Sequence, residues 1–403
     1  MTEDAPAAAA PVAPRDRLEL LDVLRGVALF GILVVNLPLI GLPFSEAMGG
    51  PSVWAESTVD TWTAALVRAL AENKFMTLFS LLFGMGLALQ VDRAEARGVN
   101  PRSFYPRRLL ALAVFGVLNA LMIFFGDILL PYAVAGAVLF LLRKRSPRAM
   151  LWLAAGFLAI GVTLSVLFEG VYAGQLGDGE DDGGGAALDL ALSSGTFLEG
   201  SMARGQIYLF WLFLSSIIAF NWRIMALFLV GAALLRMGWA RPEAWRVHRR
   251  AAVYGLAIGL TCEGCSLILH GRAGLGVELR VVDVLLHQLG GLALSAGYAG
   301  LVALWCARRR FPALRRAVAR TGRMALTNYL GQNIVAGLIF YGHGLGLAGG
   351  FSRLGVFAIG CGIYACQVYV SDKWMARAQS GPFERLWRRL TYPRRDAAGP
   401  VAG

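Results

Sequence analysis

Charged residues are scarce in this chain. Only 16% of its 403 residues are Asp, Glu, Lys or Arg, against about 25% in a typical soluble domain. Hydrophobic residues make up 57%, and they gather into runs near the ~20 residues with which a helix crosses a bilayer. The composition therefore excludes an ordinary soluble domain and predicts an all-α integral membrane protein.

Several functional signatures are also missing. Among the five cysteines, Cys262 and Cys265 form a CxxC pair, but neither a second pair nor a nearby histidine completes a metal site, so we predict none. The chain does not open with a basic stretch and an apolar core, and we predict no cleavable signal peptide. We find no Walker loop, HExxH, GxSxG or dinucleotide fingerprint, which disfavours nucleotide hydrolysis and Rossmann-type redox chemistry.

The apolar runs predict a bundle of about ten transmembrane helices with short loops and one or two interfacial helices. The predicted spans are 21–44, 74–91, 109–125, 128–142, 149–173, 224–239, 251–269, 284–307, 324–347 and 354–369. The amphipathic stretch 59–71 is predicted to lie at the outer interface, and the apolar stretch 206–220 to be interfacial or re-entrant.

Basic loops follow every second predicted span, and the formal net charge is +12. Because Lys and Arg collect in cytoplasmic loops, this alternation predicts a cytoplasmic-membrane protein with both termini inside. The lipid bilayer is the expected partner of this charge, and nucleic acid is not.

Four regions are predicted along the chain. Residues 1–16, rich in Ala and Pro, form a disordered cytoplasmic tail. Residues 17–240 form an amino-terminal half of six membrane helices, and residues 241–395 a carboxy-terminal half of four. Residues 396–403 form a second tail.

The first apolar run carries polar residues along one helical face. Asp22, Arg25 and Asn36 fall within a stripe of roughly 60°, and Arg25 and Asn36 are roughly 16 Å apart along the axis. Asp22 and Arg25 form either an interfacial anchor or part of a site, whereas Asn36 lies deeper and should face the bundle. Lys74, at the start of the second run, either snorkels outward or pairs with a carboxylate in an outward-facing cavity.

Other polar residues lie in or beside later runs. Asp127, in a very short outer turn, can cap the next helix, take part in chemistry, or both. Asp283 and His287 share a helical face; a carboxylate beside an imidazole suits a general base or proton relay, and the alternative is a bond that holds two helices together. Asn328 and Gln332 likewise share a face and either join helices or line a polar path.

Several stretches, taken in order, resemble a known family. RLELLDVLRGVALFGILVVN, KFMTLFSLLFGMG and GDILLPYAVAG resemble the amino-terminal half of the YeiB-like bacterial membrane proteins. GRMALTNYLGQN followed by GPFERLWRRLTY resembles that family's carboxy-terminal domain of unknown function 418. The resemblance covers about residues 17–395. The residues that match the family's motif positions are Asp22, Arg25, Lys74, Phe75, Asp127 and Tyr132.

The LDxLRG start is also similar to that of the transmembrane acyltransferase superfamily, which includes heparan-α-glucosaminide acetyltransferase and bacterial glycan O-acyltransferases. The resemblance implies an acyl-CoA donor in the cytoplasm and delivery of the acyl group at or across the membrane. This chain departs from the pattern by having Asn119 where many YeiB-like sequences have a histidine, and Asn36 where the O-acyltransferases commonly have one. His287 is then the best-placed intramembrane imidazole.

These observations favour an acyltransferase-like enzyme that moves an acyl group from acyl-CoA to a lipid, glycan or small-molecule acceptor. Acyl-CoA is expected as a co-substrate, without a tightly bound cofactor. The predicted catalytic residues are His287, Asp283, Asn36, Lys74 and Asp127. The predicted donor-binding residues are Asp22, Arg25, Arg107, Arg108, Tyr132, Asn328 and Gln332. We expect the polar groups of the first, second, eighth and ninth helices to converge on one watery pocket.

Two other functions stay open. In a proton-coupled transporter or exporter, Glu263, Asp283 and His287 would form the relay. In a non-catalytic membrane partner or sensor, the outer loop 175–204 would be the docking segment. Homo-oligomerisation is compatible with any of the three.

Overall fold

Helices follow one another along the whole described part of the protein. The computed structural model describes residues 18–47, 57–175, 184–217, 219–270, 272 and 276–392, and all its regular elements in these ranges are helical. The predicted tails 1–16 and 396–403 lie outside the described residues. The α-helices are α1 Glu19–Asn36, α2 Pro38–Gly41, α3 Phe44–Ala47, α4 Thr58–Leu70, α5 Lys74–Ala96, α6 Tyr105–Met122, α7 Leu129–Leu142, α8 Pro147–Gln175, α9 Gly184–Ser193, α10 Phe197–Ile217, α11 Ala219–Arg236, α12 Trp245–His270, α13 Val277–Ala307, α14 Pro312–Arg323, α15 Ala325–Phe340, α16 Arg353–Arg377 and α17 Pro382–Thr391.

Among the described residues, seven helical segments are long and apolar enough to cross a membrane. They include α1 with α2, α4 with α5, and the helices α6, α8, α12, α13 and α16. The shorter helices α7, α11 and α15 cover the other three predicted spans. The prediction of an all-α membrane bundle is confirmed, while ten crossings stay a prediction.

The structure differs from the predicted ranges at several points. The stretch predicted from residue 206 belongs to α10, which begins at Phe197. The ninth predicted helix ends at Phe340, seven residues early, because the chain turns at Tyr341. Two basic segments predicted as loops contain the helices α14 and α17, which bury apolar residues on one side only and therefore lack the continuous apolar run of a membrane span.

Helix α1 lies at the centre of the fold, against α5, α13, α14, α15 and α16. Its contact with α14 is close because Gly322 lies against the backbone of Asp22, where a Cβ atom would not fit. This contact brings the end of α14 beside the start of α1. We call this end of the bundle, where α1 begins and α5 ends, the basic end, and the end where α1 ends and α5 begins the opposite end.

Candidate functional site

A cavity of about 240 Å³, which we call the basic cavity, opens at the basic end. Its charged lining is dominated by arginine, with Asp22 and Glu384 as the acidic residues. The six arginines are Arg25, Arg93, Arg97, Arg108, Arg323 and Arg388. They come from α1, α5, α6, α14 and α17 and the residue after α5, so the cavity exists only in the assembled fold. Such a concentration of guanidinium groups favours an anionic ligand, because each presents N–H donors that match phosphate oxygens.

Two of these arginines are held in defined positions. Arg25 donates from Nη1 to Asp22 Oδ1 at 3.0 Å, and Gly86 gives it room, since a Cβ atom there would lie 3.0 Å from Arg25 Nη2. The Arg108 guanidinium lies 3.6 Å from the ring centroid of Trp387, whose indole N–H donates to the Arg108 carbonyl at 2.9 Å. Both cations are therefore positioned before any ligand arrives.

A middle cavity of about 170 Å³ continues from the basic cavity into the bundle. Both cavities are lined by Arg25 and Arg108. Apart from these arginines and from Gln90, Arg323 and Glu384, the lining of the middle cavity is apolar, with Phe79, Leu129 and the aromatic ring of Tyr329 in its wall. A ligand with an anionic head in the basic cavity would thus extend a less polar part toward Tyr329.

A third cavity, of about 360 Å³, lies toward the opposite end, and we call it the apolar cavity. Asn36 and Asp127 contribute polar groups to a lining that is otherwise mostly apolar. The apolar wall residues include Ile32, Val35, Leu39, Phe75, Met76, Phe125, Pro131, Trp211, Leu212 and Phe220. This mixture of an apolar wall with a few polar groups is typical of a site for a small organic ligand.

Asp127 lies in the partition between the middle and the apolar cavity. Ile128 lines both cavities, and the Tyr329 hydroxyl, from the middle cavity, donates to Asp127 Oδ1 at 3.5 Å. Asn119 Nδ2 donates to the same oxygen at 2.9 Å. The backbone N–H of Leu129 donates to Asp127 Oδ2 at 2.8 Å, so the predicted capping of the next helix is confirmed.

The Asp127 carboxyl titrates in an unusual range for an aspartate. Burial in the turn between α6 and α7 raises its pKa to about 7, although the hydrogen bonds from Asn119, Leu129 and Leu130 act in the opposite direction. A carboxyl with a pKa near neutrality can accept and return a proton. Asp127 is therefore a candidate acid–base group that lines the apolar cavity and is hydrogen-bonded to Tyr329 in the wall of the middle cavity.

A second group of charges is packed between α5, α12 and α13, and we call it the buried charge cluster. Lys74 Nζ lies 2.8 Å from Glu263 Oε1, and His287 Nδ1 lies 3.0 Å from Glu263 Oε2. Lys74 also donates to the Arg68 carbonyl at 2.8 Å. None of the three side chains is more than 10% exposed, and they line none of the three cavities.

The prediction that Asp283 orients His287 is wrong. Asp283 accepts hydrogen bonds from Arg68 Nη2 at 3.1 and 3.2 Å, from Ser266, and from His270 at 3.2 Å. The carboxylate beside His287 is Glu263, from the neighbouring helix. Asp283 and His287 share one helical face but bond to different partners. Asp283 pairs with Arg68 and His270, whereas His287 pairs with Glu263.

The remaining predicted site residues are dispersed. Asn328 Nδ2 donates to the Thr321 carbonyl and to Ser371 Oγ, both at 3.0 Å, which joins helices, as one of its two interpretations expected. Gln332 is fully buried away from the cavities, and Tyr132 is hydrogen-bonded to Ser80 at 2.7 Å. Arg107 is exposed and lines none of the three cavities. The expectation of one shared pocket is therefore wrong, since Arg25 and Asn36 lie in different cavities and Lys74 and His287 in neither.

Sequence reasoning missed much of the basic cavity and the partition. The missed residues are Arg93, Arg97, Arg323, Glu384, Trp387, Arg388 and Tyr329. Three of them, Glu384, Trp387 and Arg388, stand in the GPFERLWRRLTY stretch, which was used above only as a family motif. The available signal was the amphipathic spacing of that stretch, which buries Trp387 and Thr391 on one face of α17.

The fold and its three cavities define a multi-pass helical membrane protein with an internal site. Relatives match nearly the whole chain. The chain is 31% identical over 398 residues to the "Uncharacterized protein YxaH" of Bacillus subtilis (strain 168), covering 95% of this chain and 96% of that protein. It is also 31% identical over 398 residues to the "Uncharacterized protein YeiB" of Escherichia coli (strain K12), covering 94% and 97%. The chain belongs to this YeiB family.

Two further comparisons bear on the chain. The family described as "Protein of unknown function (DUF418)" matches residues 234–394. An "Uncharacterized 39.9 kDa protein in amylase 3'region" of Bacillus acidopullulyticus is 28% identical over 397 residues, with 96% of each protein covered. No solved structure matches the chain. The predicted family is confirmed, while the predicted boundary between two halves at residue 240 stays a prediction.

Proposed function

We propose that this protein is a membrane-bound acyltransferase that takes an acyl group from acyl-CoA and transfers it to a hydroxyl or amine in the apolar cavity. In this proposal the basic end faces the bacterial cytoplasm, because Lys and Arg concentrate on the cytoplasmic side of membrane proteins. Both termini then lie inside, and the donor enters from the cytoplasm.

The observation that carries the proposal is the way the lining of the cavities changes from one end of the bundle to the other. Six arginines surround the basic cavity, an increasingly apolar cavity leads inward from Arg25 and Arg108, and Asp127 stands at the partition. The phosphates of acyl-CoA suit the arginines, and its long, less polar arm suits the middle cavity. The thioester would then reach Tyr329 and Asp127.

Asp127 would act as the general base in this reaction. As the acceptor oxygen or nitrogen forms its bond to the thioester carbon, its proton passes to Asp127, and the C–S bond then breaks with the proton returning to the departing thiolate. The Tyr329 hydroxyl, which donates a long hydrogen bond to Asp127, would turn to donate to the carbonyl oxygen as negative charge develops there. This assignment replaces His287, which contacts neither cavity, as the proposed base.

Neighbouring arginines of α6 provide the test. Arg108 lines the basic cavity and Arg107 is exposed outside it. We expect Arg108→Gln to weaken binding of coenzyme A to the protein in nanodiscs about tenfold, the loss of one charge-assisted contact. Arg107→Gln should change it less than about twofold.

Labelled acetyl-CoA supplies the activity measurement, with an extract of bacterial membrane lipids and glycans as acceptors. Transfer of label that needs Arg108 but not Arg107 would support the proposal. Equal effects of the two substitutions on coenzyme A binding, or no transfer to any fraction, would contradict it.

The buried charge cluster favours a second candidate, a proton-coupled transporter. A lysine, a glutamate and a histidine in contact within the bundle are typical of proton relays. Flux of a small molecule in proteoliposomes that depends on a proton gradient and is lost in Glu263→Gln, without any acyl donor, would favour this candidate. Unchanged flux in Glu263→Gln would remove it.

A further inference from the structure

The apolar cavity differs from the basic cavity in the sign of its charge. Among the described residues that line it, the acidic residues are Glu72 and Asp127, and there is no lysine, arginine or histidine. An anionic group in this cavity would meet two carboxyl groups and no cation to compensate it. The lining therefore selects against phosphate-bearing or carboxylate-bearing ligands.

One wall of the apolar cavity is also the surface of the bundle. Tyr208, Trp211 and Leu212 of α10 line the cavity. On the same helix, Leu209, Phe210 and Phe213 are 66%, 61% and 69% exposed. A helix with such an apolar outer face in a membrane protein is in contact with lipid.

The wall is thin at Trp211, which lines the cavity and is itself 37% exposed. The helices that pack along α10 are α6, α9 and α11, whereas the facing wall of the cavity comes from Gly31, Ile32 and Val35 of α1. The cavity thus fills the space between α1 and α10, and its lateral boundary is an aromatic side chain at the lipid surface.

Within the described part of the chain, the lining of the apolar cavity includes one buried polar group without a hydrogen-bond partner. Tyr208 is only 5% exposed, and its buried hydroxyl has no hydrogen-bond partner among the described residues. Asn36 and Asp127 line the same cavity. A buried hydroxyl that lacks a partner is unfavourable, and a ligand that supplies one is bound in preference.

From these three features we propose that the apolar cavity binds a membrane-borne amphiphile with an uncharged or cationic head, a hydroxyl or an amine on a long apolar chain. The amphiphile enters from the bilayer past Trp211, its head reaches Tyr208 and Asn36, and its chain occupies the apolar wall. That this amphiphile is the acyl acceptor rests on the proposed function, whereas its binding in the apolar cavity does not. Its reacting atom would then stand beside Asp127.

The test compares probes that differ only in the head group. Long-chain alcohol, amine, carboxylate and phosphate monoester, each with the same photoreactive diazirine in the tail, are added to the full chain in nanodiscs of zwitterionic lipid. We expect the alcohol and the amine to label peptides from 31–39, 71–76 and 208–220. The carboxylate and the phosphate should label these peptides at least about tenfold less.

A filled cavity provides the control for position. Val35→Trp places a large ring in the cavity and should reduce this labelling at least about fivefold, whereas Val114→Trp, at a 47% exposed position of α6, should leave it unchanged. Thermal unfolding in detergent verifies that both variants are folded. If Val35→Trp does not fold, added unlabelled long-chain alcohol replaces it and should reduce the labelling at 31–39 in the unaltered protein.

The outcomes separate the two proposals. Selective labelling without any acyl transfer would leave the amphiphile site standing and contradict the acyltransferase. Acyl transfer to water-soluble acceptors with no selective labelling would support the acyltransferase and contradict the amphiphile site. Equal labelling by the phosphate and the alcohol, or labelling that Val35→Trp or the competing alcohol leaves unchanged, would overturn the inference.

Discussion

The basic cavity and the buried charge cluster both consist of charged residues, but the charges are arranged in opposite ways. In the cluster, Lys74 and His287 both contact Glu263, and the three side chains are nearly sealed from solvent. In the cavity, six arginines face a space with only two acidic residues. Charges that satisfy one another hold helices together, whereas an excess of one sign around a space favours a ligand.

This contrast reverses the ranking suggested by the sequence. An ionisable residue inside a predicted membrane helix is a functional candidate by default, and His287 stood first on that ground. The structure gives it a packed position, with Glu263 at 3.0 Å and no adjoining cavity among the three. Six arginines instead surround the space where a ligand fits, and all of them except Arg25 stand in segments predicted to be loops.

The largest expected effect is the loss of one partner in the buried charge cluster. Lys74→Met removes the cation at 2.8 Å from Glu263, and breaking such a buried pair costs about 3–5 kcal/mol of unfolding free energy. The double variant Lys74→Met/Glu263→Gln should recover part of this loss, because no unpaired charge remains. Unfolding in detergent monitored by tryptophan fluorescence measures the difference.

The exposed pair of Arg315 and Glu19, 3.0 Å apart with Glu19 56% exposed, is the matched control. Arg315→Gln should cost less than about 1 kcal/mol, because solvent screens the interaction. Equal losses from Lys74→Met and Arg315→Gln would show that the cluster is not a sealed ion pair.

A smaller effect is expected for Asp127, at the partition between the middle and the apolar cavity. It concerns the rate of acyl transfer and not the stability of the protein. Asp127→Asn should reduce acyl transfer on the order of 100-fold, since a general base contributes about 10²–10⁴, and coenzyme A binding should be unchanged. Because burial raises the pKa of Asp127 to about 7, its basic form is depleted below that pH. Transfer by the unaltered protein should therefore rise with pH and level off above about 7.

Asp60 is the matched control for Asp127. It is 3% exposed and accepts a hydrogen bond from the backbone N–H of Leu354 at 3.0 Å, so it too caps a helix, but it lines none of the three cavities. Asp60→Asn should leave the rate and its pH profile unchanged. A pH profile that Asp127→Asn does not alter would argue against Asp127 as the base.

Local pattern was sufficient for most of the long apolar helices and for the cap at Asp127, because apolar runs and capping residues act over a few positions. It was insufficient wherever a partner comes from another helix. Glu263 reaches His287 from α12, and Trp387 of α17 lies under Arg108 of α6. Such contacts depend on which helices are neighbours, and that order is fixed by tertiary packing and not by one segment.

The smallest expected effect concerns the space around Arg25. Gly86→Ala adds a Cβ atom 3.0 Å from Arg25 Nη2, so the guanidinium must shift within the basic cavity, and coenzyme A binding should weaken about threefold, or about 0.7 kcal/mol. Gly156→Ala, on α8 with no atom within 4 Å of the added Cβ, should leave binding unchanged. Both variants gain helix propensity, by up to about 1 kcal/mol, so a stability change common to both would not explain a difference in binding. Calorimetry in nanodiscs measures the affinities, and equal affinities for the two variants would mean that the position of Arg25 does not matter for the ligand.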